Sequence, residues 1–102
     1  MTDYHFEREC RTPYSEVYTI IQDSERIGRL DLHFTSSVVH ATLSVPERLT
    51  SESIQSLIEV IDDELVMSSD VPRDDFIVTV FQGREAGVFS DEEMEGDEDI
   101  GL

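Results

Sequence analysis

The sequence predicts an α+β fold: a four- or five-stranded, mainly antiparallel sheet with one helix covering one face, in the order β-β-β-β-α-β. Three observations lead there. Between residues 4 and 45, apolar side chains recur with the two-residue period of half-buried strands, interrupted by turn-forming residues. From Thr50 the period lengthens to that of a helix. A final run rich in β-branched and aromatic residues, DFIVTVF, returns to strand character.

The first strand, YHFEREC over residues 4–10, sets Tyr4, Phe6 and Cys10 among charged neighbours, and Pro13 ends it because proline has no N–H to give to a ladder. EVYTIIQ over 16–22 is the second, DSER a polar turn, and IGRLDLHF over 27–34 the third. VVHATLSV over 38–45 is the fourth, and the last three make an antiparallel meander. Leu30, Leu32 and Phe34 share one face with Val39, Ala41, Leu43 and Val45, so the hairpin register is set by burial. A turn centred on Ser36 and Ser37 opposes Leu30 to Leu43 and Leu32 to Ala41. On the opposite face it sets His33 against His40 and Asp31 against Thr42.

The helix spans about 51–67, because Ile54, Leu57, Ile58, Ile61 and Leu65 fall on one face. Thr50 or Ser51 caps its start, and Glu52 meets the positive end of the dipole. SSDVP ends it, and DFIVTVF over 75–81 carries apolar residues on both faces, the pattern of a central strand. Residues 1–89 form a single domain, and residues 90–102, SDEEMEGDEDIGL, read as a disordered, solvating acidic tail.

Charge is the strongest global signal. The 102 residues hold 24 acidic residues against seven basic ones, all arginine, for a net charge of −17. Residues 1–89 alone hold 17 of the acids and all seven arginines, a net of −10. With no basic stripe to displace counterions from phosphate, direct nucleic-acid binding is excluded at this level. The lone Cys10, with Glu7 and Glu9 just before it, reads as a small apolar filler rather than an activated thiolate. There is no leader pattern and no apolar run near the ~18 residues of a membrane span, so a cytoplasmic protein is expected. No glycine-rich phosphate loop and no nucleophile elbow is present, which points to a non-enzymatic protein without a cofactor.

Two constellations remain. His33 and His40, opposed across the hairpin with Asp31 two residues along, are the right types and spacing for an open metal site. The plainer alternative is two exposed imidazoles that disfavour each other's protonation. The second is an acidic edge of Asp62, Asp63, Glu64, Asp70, Asp74 and Asp75, which lacks the ligand spacing and glycine of a calcium loop and suits a basic protein partner. The reading that follows is a small acidic interaction module, with the uncovered sheet face open to homodimerisation and Val17, Tyr18, Ile77 and Phe81 supplying apolar area to whichever face they occupy. The alternative is an acidic nucleic-acid mimic that inhibits a basic DNA- or RNA-binding protein. A metal-dependent enzyme using His33 and His40 is the third.

Overall fold

The structure is a computed structural model and describes residues 3–67 and 75–91. Strands β1 (Tyr4–Thr12), β2 (Ser15–Gln22), β3 (Glu25–Phe34) and β4 (Val38–Val45) precede helix α1 (Ser51–Ile61), a π-helical turn (Asp62–Val66) and strand β5 (Asp75–Gln82). The five strands form one sheet in the order β1-β2-β3-β4-β5. The class is α+β and the sheet mostly antiparallel, as the sequence predicts.

The departure is β5. It pairs with β4 in parallel, in unbroken register from Val38 opposite Asp75 to Val45 opposite Gln82. A parallel neighbour needs a crossover, which α1 supplies. β5 is therefore an edge strand, not the central one its two-sided apolar pattern suggested. Phe76, Val78 and Val80 face the core. Ile77 and Phe81 point to the other face and are 44% and 58% exposed.

Local chemistry fixes the turns. Asp23 and Ser24 both lie at positive φ, 53° and 66°, which is what a two-residue turn needs to match the twist of β2 and β3. Between β3 and β4 the expected pairing holds throughout, including His33 with His40 and Asp31 with Thr42. Thr35 closes that loop: its hydroxyl donates to the Val38 carbonyl at 2.7 Å and accepts from the Val38 N–H at 3.0 Å. Bulges interrupt β1 at Glu9, between Arg8 and Cys10, and β3 at Ile27, opposite Ile20 and Ile21 of β2, adding local twist. Cys10, beside the first bulge, is exposed, so it is not the filler its composition suggested.

The core lies between the sheet and α1. Leu30, Leu32 and Leu43 are fully buried beneath Leu57 and Ile61, with Ile54 and Ile58 packed at the margin. Burial of each such side chain contributes about 1.5–3 kcal/mol before conformational entropy is charged against it. Thr50 is the cap, its hydroxyl accepting from the Ser53 N–H at 3.1 Å. Tyr18 lies on the covered face: it is buried and meets Phe6 edge to face at 6.4 Å. Among the described residues no helix is long and apolar enough to cross a membrane.

Candidate functional site

Strand alternation sorts the sheet into two faces, and the register places each residue on the one turned from α1. Across β2 to β5 its rows read Ser15, His33, His40, Ile77, then Val17, Asp31, Thr42, Thr79, then Thr19, Arg29, Ser44, Phe81. His5 sits on the same face of β1, opposite Ile21. All three histidines therefore share one surface.

On β2 to β5 the charged side chains of this surface are Arg26 and Arg29 against Asp31 and Asp75, and β1 adds Glu7, opposite Thr19, and Glu9, which accepts from the Thr19 hydroxyl at 2.8 Å, for a net of −2 in a body that carries −10. His33 and His40 are directly opposed and exposed. Asp31 does not join them. Its carboxylate takes both arms of Arg29, with Nε to Oδ2 at 3.4 Å and Nη2 to Oδ1 at 3.4 Å. Among the described residues no group of three or more His, Cys, Asp or Glu side chains is placed to hold a metal ion.

The acidic edge is only partly within the described residues. Asp62, Asp63 and Glu64 lie in the π-helical turn after α1. Asp75 opens β5, its carboxylate accepting from the Phe76 N–H at 2.8 Å. Asp70 and Asp74, like the acidic tail beyond Asp91, lie outside the described residues. Because β4, α1 and β5 form a parallel crossover, this turn and the start of β5 share one end of the sheet.

The opposite end holds something that the sequence reading missed. Residues 25–29, 44–46, 48 and 81–85 enclose a cleft of about 680 Å³ at the carboxyl ends of β4 and β5. Four of the seven arginines line it: Arg26, Arg29, Arg48 and Arg84, together with Phe81. Arg26 pairs with Glu85 at 3.3 Å and Arg48 with Glu25 at 3.6 Å, while Arg84 has no ion-pair partner among the described residues. The scaffold is backbone-tight. Gln82 donates from Nε2 to the carbonyls of Pro46 and Leu49 at 3.4 and 3.0 Å, tying the loop that carries Arg48 to β5. Gly28 is required here, since a Cβ at that position would lie 2.4 Å from the Ser44 carbonyl oxygen. No local pattern announces this cleft, because its arginines are spread from position 26 to 84 and only strand order brings them together.

One titrating group is strongly perturbed, on the covered face. Burial, followed by the hydrogen bond its hydroxyl donates to Glu16 Oε1 and the carboxylate's charge, pushes the Tyr18 phenol up to about 12. Glu16 is held in turn by Arg11 at 3.6 Å. Comparison with protein-family models, curated proteins and solved structures returns no match.

Proposed function

We propose that this protein is a small non-enzymatic interaction module whose open sheet face pairs with a second copy of the chain. The observation that carries the reading is the uncovered face itself: it bears exposed Ile77 and Phe81, and its charge, Arg26 and Arg29 against Glu7, Glu9, Asp31 and Asp75, is a small part of the −10 that residues 1–89 carry. Repulsion between two such bodies is lower through a face of small net charge than through the acidic edge. Charge complementarity also selects the arrangement. A two-fold axis in the plane of the faces and across the strands sets the arginine end of one copy over the Asp62–Glu64 and Asp75 end of the other, which is an isologous contact.

Five strands at ~4.8 Å spacing and four rows of side chains give a flat area of about 600 Å² per copy. That is the low end of specific interfaces, so the dimer is weak, with a dissociation constant on the order of micromolar to tens of micromolar. A cytoplasmic setting belongs to this reading, because an exposed, unpaired Cys10 suits a reducing compartment. Sedimentation velocity over about 5–500 μM in 0.15 M salt tests it. Wild type shifts from monomer towards dimer and Ile77→Asp stays monomeric. A wild-type chain that remains monomeric at the highest concentration overturns the proposal.

A further inference from the structure

We infer that the arginine-lined cleft is a binding site for a phosphate-bearing small molecule with a planar ring, of the nucleotide class. The ligand chemistry follows from what lines the site. Arg26, Arg29, Arg48 and Arg84 supply four guanidinium forks within one cleft against two lining carboxylates, Glu25 and Glu85. A guanidinium matches phosphate oxygens two at a time, and such charge-assisted pairs are roughly twice as strong as neutral hydrogen bonds. The existing pairs do not compete well with that. The Arg26, Arg29 and Arg48 side chains are 54%, 56% and 60% exposed, and their carboxylate contacts are single or long, at 3.3–3.6 Å. Exposed pairs of this kind are worth about 0–1 kcal/mol, and Arg84 has nothing among the described residues to release.

Phe81 supplies the second half of the recognition. It lines the cleft and is 58% exposed at the C-terminal end of β5, leaving a ring face for stacking a planar group. Size agrees. A cleft of about 680 Å³ lies within the ~300–1,000 Å³ usual for small-molecule sites. It lies beyond the carboxyl ends of the one parallel pair, β4 and β5, where strand ends and the Arg48 loop meet. The net charge of −17 does not forbid an anion here. At physiological salt, charges more than about 8 Å away are largely screened, so the four lining guanidiniums weigh only against the carboxylates near them, Glu25 and Glu85 in the lining and Asp23 and Glu47 close to it in sequence. The same argument disfavours a long nucleic acid, which would extend from the cleft over acidic surface.

Isothermal titration of the full chain with ATP, tripolyphosphate and adenosine at constant ionic strength tests the inference. It is run on wild type and on Ile77→Asp, which lies outside the cleft and presents it in a monomer, so that failure of the dimer reading and failure of this one are separable. ATP is expected to bind more tightly than either tripolyphosphate or adenosine. Arg84→Ala and Arg48→Ala are each expected to weaken ATP binding by about tenfold while leaving the circular dichroism spectrum unchanged. Absence of ATP binding at about 5 mM ligand overturns the inference, as does binding that both arginine substitutions leave unaltered. Equal affinity for ATP and tripolyphosphate overturns the ring half of it.

Discussion

Raising salt should stabilise this protein, and the size of the effect can be worked from its charge and dimensions. Residues 1–89 carry a net −10, and the radius of gyration is 15.5 Å. An unfolded chain of that length has a radius of about 30 Å. With the charge spread over spheres of these sizes, folding costs about 3 kcal/mol of added repulsion at 0.1 M salt, where the screening length is ~10 Å. At 1 M, with a screening length of ~3 Å, the cost falls to about 1.5 kcal/mol, a gain of roughly 1.5 kcal/mol. The ion pairs pull the other way, but those seen at Arg11, Arg26, Arg29 and Arg48 are all exposed on the arginine side. Each is worth about 0–1 kcal/mol even before screening, so repulsion wins. Urea unfolding followed by circular dichroism should show the midpoint rising between 0.1 and 1 M NaCl with unchanged slope, and the melting temperature rising on the order of 10 °C. KCl should act as NaCl does, since screening depends on ionic strength. A midpoint that stays fixed or falls would show that the acidic side chains are spaced well enough to make their repulsion immaterial.

Two further perturbations test the local arguments. Ser24→Gly removes a side chain from a residue held at φ 66° and should raise stability by up to about 1 kcal/mol in the same urea assay, after the entropy glycine adds to the unfolded chain is subtracted. Tyr18, with its phenol raised to about 12 in the folded state against 10.0 ordinarily, keeps its proton when the unfolded chain has lost it. Its contribution to stability is therefore full below about pH 10 and is lost as pH rises through about 12, with Tyr4, also raised by burial, acting in the same direction. Tyr18→Phe should flatten the decline of stability between about pH 10 and 12, and a decline as steep as that of wild type would refute the assignment.

What could be read from the chain and what could not divides along a physical line. Burial on one face determines the β3–β4 register: any slip would drive Leu30, Leu32 and Leu43 into water, and the observed pairing is the one that this penalty selects. The helix was legible for the same reason, down to Thr50 as its cap, although its last turn widens into a π-helical one at Asp62–Val66. The position of β5 was not legible, because apolar residues on both faces are equally the mark of a buried strand and of an edge strand whose outer face awaits a partner. Ile77 and Phe81 are of the second kind. The opposed histidines illustrate the limit at a finer scale. Register set them face to face, yet the sequence could not say that Asp31 would turn to Arg29, because that choice depends on two side chains on one strand rather than on pairing.

The arginine cleft shows why a net charge is a poor guide to a site. Composition gave −17 and pointed away from direct nucleic-acid binding. The crossover from β4 through α1 to β5 instead gathers two strand ends and the Arg48 loop beside the start of β3, leaving Asp62–Glu64 and Asp75 at the far end. The fold thus separates charge along the strands. Binding at the cleft and pairing across the open face draw on the same separation. Arg29, Ser44 and Phe81 belong to both surfaces. An anion in the cleft would lower the positive charge that the acidic end of a second copy meets, so the two events are coupled by linkage: whatever factor the ligand takes from dimer affinity, dimerisation takes from ligand affinity.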